Sequence, residues 1–355
     1  MNAPAPSRRP ARWTGPALTV LTVVICLLAA EMALRLRTSA SLLWHFPNFI
    51  QLDLRSDESE RPQLRYDHEL GWDLQPGASG LLAGRPISIS ADGTRNHASG
   101  VKAGSGPAIL ALGDSYTEGY AVSDDETWPA HLERGSGRRV LAGGVRDYGL
   151  DQMVLKAERL VPVMKPGTVV LAFIASDIDR TGRAVRNMRH KPFFGATGDG
   201  LELHNVPVPT TPVPGPDTLM RRVLGHSYLI HFTMNRLGAY ELWRGDTVET
   251  GEESDLVSCR LMARFAALVQ REKVDALVVA FPRYEDWVWP QNGQTQHRRV
   301  AAVLECARKA GLKTLNTREA FETAGVAQDP ESFFVDWHFN GRANALAARL
   351  IASAL

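Results

Sequence analysis

The sequence predicts an α/β protein in which a parallel sheet lies between two helical layers, preceded by one membrane-spanning helix. Three observations carry this reading. Short apolar runs alternate with amphipathic helical patterns from about Ala108 to the C-terminus. Several of those runs are continuously apolar, as strands buried on both faces must be. Near the N-terminus, Trp13 to Ala30 carries no charge. Continued to about Arg35, a helix of this length can cross about 30 Å of hydrocarbon at 1.5 Å per residue.

Residues 1–15 are rich in Pro and Arg, with Arg8, Arg9 and Arg12 ahead of the apolar run. Basic residues there place the N-terminus on the cytoplasmic side and everything downstream of the 16–35 anchor on the far side of the cell's inner membrane. Arg35 and Arg37 weaken that asymmetry, while Asp53, Asp57 and Glu58 restore it. A cleaved signal peptide is the main alternative, although no small-x-small site follows the apolar core. Pro10 and Ala11 fit a twin-arginine signal poorly, and Ile25 before Cys26 does not suit a lipoprotein site.

Residues 36–100 read as a juxtamembrane stem and an extended lead-in, with turn signals around Gly71–Gly77 and Ala91–Gly93. Strands are expected at Ala108–Leu112, Arg139–Ala142, Thr168–Ile174, Ala276–Phe281 and Lys313–Asn316. Helical patterns cover Trp128–Arg134, Asp151–Val163, Leu219–Trp243, Leu256–Glu272, Gln296–Ala310 and Arg342–Leu355. Strand and helix alternating in this way give a parallel sheet with helices on both faces. The proline run from Val206 to Pro216 suits neither helix interior nor central strand, so about 180–217 reads as an irregular insertion within a 101–355 domain.

The chain has 355 residues, 44% of them hydrophobic and 22% charged, with a net charge of +1. That balance gives no reason to expect nucleic acid as a partner. None of the three cysteines has metal-ligand spacing. Cys259 and Cys306 are expected to be two inert buried thiols, a disulfide in an oxidising compartment being the alternative. No metal or other cofactor is called for.

Ligands of such sheets bind beyond the carboxyl ends of the strands. Ser115, in Ala108-Ile-Leu-Ala-Leu-Gly-Asp-Ser115, stands at one of those ends. A serine nucleophile needs a base and a group that orients the base. Of the ten histidines, His45, His68, His97, His190 and His204 lie in loops or lead-ins. His226 and His231 lie in a helical stretch, and His131 and His297 on helix surfaces. His338 differs, because it sits in the turn Val335-Asp-Trp-His-Phe-Asn340 before the last helix. There the Asp336 carboxylate could fix the imidazole tautomer. A solvated capping turn is the bland reading of the same Asp336.

Gly113-Asp-Ser-Tyr-Thr117 resembles the first conserved block of the SGNH (GDSL) hydrolases. Ala91-Asp-Gly-Thr-Arg95 and Glu118-Gly-Tyr-Ala-Val122 resemble segments flanking that block in membrane-anchored members. Asp336-x-His338-x-Asn340 resembles the Asp-x-His closing block of some branches. The resemblance implies a flavodoxin-like three-layer α/β/α fold and a serine esterase or acyl-transferring activity. It makes Ser115 the nucleophile, His338 the base and Asp336 its partner. The oxyanion donors would be the Ser115 N–H and the residues at the second and third blocks, which here fall on Asp147 and Ser176 in place of the usual glycine and asparagine. If the second block slides, Gly144 or Gly149 takes the place of Asp147. The Asp147 carboxylate is expected to turn away or to pair, with Arg146 the nearest candidate.

Three functions follow as expectations. The first is an anchored, exported esterase acting on an acyl ester of a glycan or lipid. The second is a polysaccharide O-acetyltransferase using the same residues. The third is a non-catalytic glycan-binding member, for which aromatics such as Tyr284, Trp287 and Trp289 could supply stacking surfaces.

Overall fold

A computed structural model describes residues 14–38, 40–50, 63–97, 106–213, 218–237, 239–245 and 247–355. The basic stretch with Arg8, Arg9 and Arg12 lies outside them, as do Asp53, Asp57 and Glu58 of the expected stem and residues 214–217 of the proline run. The chain forms two compact units, Met1–Ser56 with Pro214–Gly245 and Asp57–Val213 with Asp246–Leu355.

The larger unit is built on a parallel sheet of five strands: β1 (Ile109–Leu112), β2 (Val140–Ala142), β3 (Thr168–Phe173), β4 (Asp275–Ala280) and β5 (Lys313–Asn316). Their spatial order is 2-1-3-4-5, the flavodoxin-like order. Because side chains alternate along a strand, each strand feeds both faces. Leu110, Leu112, Val169, Leu171, Phe173 and Val278 face one core with the helices Leu150–Met164, Ser254–Glu272 and Pro290–Lys309. Ile109, Ala111, Val170, Ala172, Leu277 and Val279 face the other, with Trp128–Ser136, Arg318–Thr323 and Gly341–Ala354. Two-sided burial is why β1, β3 and most of β4 read as apolar runs.

The lead-in belongs to this unit's core. Its hairpins Leu64–Asp67/Gly71–Leu74 and Ser79–Leu82/Arg85–Ser88 bury Trp72, Leu74, Leu82 and Ile87 against the first cluster. The Arg95 backbone bridges Ala142 at the edge of β2. Its buried guanidinium donates to the carbonyls of Glu118 (2.7 Å), Gly119 (2.6 Å) and Val122 (2.7 Å) and to Asp124. The lead-in thus pins the segment that follows Ser115.

Two expectations need correction. Residues 180–217 are not wholly irregular, since Arg183–Arg186 pairs with Arg189–His190 and Phe193–Thr197 with Gly200–His204. These strands are short and of mixed polarity, so they carry little periodic signal. They are tied down by Lys191, fully buried, which donates to Asp151 and to the carbonyls of Arg183 (3.1 Å) and Pro192 (2.8 Å). The second correction is that Cys259 and Cys306 form a disulfide across two helices whose Cα atoms are 5.3 Å apart there. The facing helices bring together thiols that sequence spacing keeps apart.

The smaller unit starts with the helix Thr14–Thr38. Its segment Gly15–Thr38 is long and apolar enough to cross a membrane, an 18-residue window of it having mean hydropathy 2.4. The pattern at Leu219–Trp243 resolves into three helices, Leu219–Leu224, Tyr228–Arg236 and Tyr240–Arg244. The first break falls at Gly225-His226, and Ser227 caps the second helix through a bond from the Ile230 N–H (3.2 Å).

Candidate active site

The carboxyl ends of β1 to β4 converge with the turn before the last helix. Beyond β1, Gly113 lets the chain turn under the sheet, since a Cβ there would meet Ala172 O at 2.5 Å and Thr117 Oγ1 at 2.1 Å. One helical turn, Ser115–Glu118, follows with Asp114 as its N-cap, accepting from the Tyr116 N–H at 2.9 Å. Ser115 is 5% exposed. Its position is set by the sheet.

His338 Nε2 lies 2.9 Å from Ser115 Oγ. Its Nδ1 lies 2.7 Å from the Asp336 carbonyl oxygen. A carbonyl can only accept, so Nδ1 carries the proton and Nε2 presents its lone pair to the serine. The structure therefore departs from the expected role of the Asp336 carboxylate: it is the backbone of Asp336 that orients the ring. Asp336 (φ 46°) and Trp337 (φ 65°) both adopt left-handed backbone, and this folds the carbonyl back towards the imidazole. Tyr116 holds the same turn by donating its hydroxyl to Trp337 O at 2.8 Å. Tyr120 packs its ring 4.4 Å from the imidazole. Asn340 caps the last helix, accepting from the Ala343 N–H.

The buried carboxyl near the histidine is that of Asp114. Its carboxylate is 3.4 Å from Ser115 Oγ and 3.4 Å from Arg180 Nη1. Arg180 also donates to Asp177 at 2.6 Å. Burial pushes both carboxyls up from their ordinary values, Arg180 opposing it, and Asp177 rises well above because Asp114 repels its charge. A positive charge formed on His338 would draw the Asp114 carboxyl back down. Sequence reading missed Asp114, Asp177 and Arg180. The nearest signal was Asp114, inside the quoted motif.

The loop after β2 carries Asp147. Gly144 packs where a Cβ would meet the Glu118 N at 2.4 Å, and the Val145 N–H donates to Gly113 O at 3.0 Å. Asp147 has φ 68°, the left-handed backbone that its expected place in a glycine position demands. Arg146 does not pair with it; that guanidinium is held by Glu118 at 2.6 Å. Arg186 faces Asp147 instead, at 3.6 Å. Burial would raise the Asp147 carboxyl, but Arg186, Arg180, Arg189 and a bond from Asn187 hold it well below its ordinary value. Among the described residues, neither the Ser115 nor the Asp147 backbone N–H is spent on another group.

Ser176 follows β3. Its Oγ accepts from Arg283 Nη1 at 2.8 Å, Arg283 lying beyond β4 and donating also to Asp286 at 3.0 Å. With its oxygen bonded to a cation, the Ser176 hydroxyl keeps its own hydrogen to donate. Arg283 was invisible in the sequence, because its partner lies 107 residues away. Beside this centre, Tyr284, Glu331, Phe334, Asp336 and Trp337 line a small cleft, with Trp289 and Tyr284 rings 5.6 and 5.2 Å from Trp337.

No family model and no curated protein sequence matches the chain. Solved structures do. An acetylxylan esterase from Geobacillus stearothermophilus is similar at 16% identity over 71% of this chain and 95% of that one, TM-score 0.42. A member of the lipolytic G-D-S-L family from Veillonella parvula is similar at 12% identity over 70% and 97%, TM-score 0.42. An alpha/beta hydrolase enzyme from the metagenome of Lake Arreo is similar at 12% identity over 72% and 97%, TM-score 0.43. At such identities, what the site can do follows from its own atoms.

Proposed function

We propose that the protein is a serine ester hydrolase of the SGNH type, acting through an acyl-enzyme on Ser115. The observation that carries this is the 2.9 Å approach of His338 Nε2, lone pair inward, to the Ser115 hydroxyl. In acylation, Oγ attacks the ester carbonyl while its proton passes to Nε2. The tetrahedral oxyanion lies against the N–H groups of Ser115 and Asp147 and the hydroxyl of Ser176. His338 then protonates the departing alcohol. Water repeats the sequence, Nε2 taking its proton, and releases the acid. Asp114 offsets the positive charge on the imidazolium in both steps.

Finer features of the reading have their own support. The disulfide suits an oxidising compartment, hence a periplasmic catalytic domain. The N-terminal apolar helix suits a single-pass inner-membrane anchor. The half-exposed Trp337 beside Tyr284 and Trp289 suits a sugar ring, which favours an acyl group, acetyl for example, carried on a glycan over one on a lipid.

The same aromatic cleft could hold an acceptor sugar in place of water, which is the specific support for O-acetyl transfer as a second reading. The test uses the full chain in detergent with a fluorophosphonate probe. Labelling is expected in the native protein and lost in Ser115→Ala; absent labelling, or labelling that survives in Ser115→Ala, sinks the hydrolase reading. With an acetyl donor and glycan acceptors, free acetate alone excludes transfer.

A further inference from the structure

The apolar N-terminal helix contains three charges, Glu31, Arg35 and Arg37, and the first two are consumed inside the smaller unit. Glu31 accepts from Ser227 Oγ (2.9 Å) and from the Tyr228 (2.8 Å) and Leu229 (2.7 Å) N–H groups, so it caps the helix Tyr228–Arg236. Arg35, 1% exposed, donates to Glu31 and to the carbonyls of Leu42 (2.8 Å) and His226 (2.5 Å). Charges at membrane depth are costly unless paired in this way. Phe49 and Asn48 fasten the neighbouring helix through Gly225 O (2.9 Å) and Arg222 O (3.2 Å).

What those helices present outward is apolar. Leu219 is 77% exposed, Val223 61% and Leu237 70%, with Met220 and Phe232 also exposed on the same segment. Exposed Arg222 and Arg236 are interleaved with them. Depth gives the patch its occupant. Glu31 lies about 26 Å along the helix from Thr14 at 1.5 Å per residue, against a hydrocarbon core of about 30 Å. Helices docked on Glu31 therefore sit at the hydrocarbon edge, continuous with the exposed apolar surface of the N-terminal helix.

We infer that residues 219–237 form an interfacial collar, their leucines and valine in the outer acyl layer and their arginines among anionic head groups of the bilayer the N-terminal helix crosses. Membrane contact is thereby not confined to the anchor. Apolar residues with arginines between them are the composition of helices that lie in the interface plane. The inference rests on the anchoring reading.

The experiment places an environment-sensitive NBD label on the full chain, reconstituted at low protein-to-lipid ratio in phosphatidylcholine–phosphatidylglycerol vesicles. Cys26, in the middle of the N-terminal helix, is the depth reference; Val223→Cys, Leu237→Cys and Asn235→Cys are labelled in a Cys26→Ala background. Nitroxide lipids quench near the head group or near the chain end, and iodide quenches from water. Quenching at Cys26 by the chain-end nitroxide, with about twofold or greater quenching at positions 223 and 237 by the head-group-side nitroxide, is expected. Position 235 should favour iodide. If positions 223 and 237 respond to iodide alone while Cys26 is quenched deep, the collar is wrong and the anchor stands. No deep quenching at Cys26 removes the anchor and the collar together. Shielding of 223 and 237 from both quenchers means that another copy covers the patch, which also overturns the proposal.

Discussion

His338 donates its Nδ1–H to the Asp336 carbonyl at 2.7 Å, and the imidazole is thereby oriented by a main-chain atom. A carbonyl fixes the tautomer as well as a carboxylate does, but it brings no full charge to the imidazolium. In the proposed mechanism the two functions that one aspartate unites in a Ser-His-Asp triad are divided, orientation going to the Asp336 backbone and charge to Asp114.

This division predicts an unusual mutant profile. Asp336→Asn keeps the carbonyl and tolerates left-handed backbone, so kcat/KM should stay within about tenfold of native. His338→Ala should lose on the order of 10⁴-fold or more. Steady-state hydrolysis of an activated acetyl ester measures both. A thousandfold loss in Asp336→Asn would mean that the carboxylate reaches the imidazole during turnover.

Ser176 should act through its hydroxyl. Ser176→Ala removes the donor and should lower kcat by about 10²-fold with KM little changed. Ser176→Thr retains the group and should recover most of that loss. Equal defects in the two variants would place the effect in packing around Arg283 instead.

Much of this was legible in the sequence. Four of the five strands announced themselves because they are buried on both faces, the edge strand Lys313–Asn316 being only part buried, and Ser115 and His338 because they stand at a strand end and in a turn next to polar residues. The partners of charged groups were not legible. Arg283 meets Ser176, Arg186 meets Asp147, and Glu31 meets Ser227 only because strand ends and helices far apart in the chain converge. Within the apolar helix, Glu31 and Arg35 read as interruptions for the same reason. The hairpins of 183–204 were hidden by their brevity, and the anchoring Lys191 by having its acid, Asp151, 40 residues upstream.

The Asp147 carboxylate gives a pH-dependent prediction. Its folded value is depressed by Arg186, Arg180 and Arg189 despite burial. A depressed carboxyl contributes stability that is fully present above the unfolded value of about 3.9 and is lost as pH falls through the folded value. Asp147→Asn should therefore melt a few degrees below native at neutral pH, and the gap should narrow below about pH 4. Melting curves in detergent across that range measure it. A gap independent of pH would locate the effect in hydrogen bonding rather than charge.

The Cys259–Cys306 disulfide closes a segment with a sequence separation of 47 between two helices of one face. In the chain-entropy account, a loop of this size restricts the unfolded chain by about 4 kcal/mol, and measured effects run to about 2–4 kcal/mol. Cys306→Ala should accordingly lower the urea midpoint of the larger unit, and Cys259→Ala should do the same. The double variant should lose no more than either single one, because the two side chains act as one cross-link. The chain has three cysteines, so thiol titration of the unreduced, denatured protein should count Cys26 alone, and all three only after reduction. Three free thiols in protein purified from the oxidising side of the membrane would show that the bond does not form there, and would remove the support it gives to a periplasmic catalytic domain.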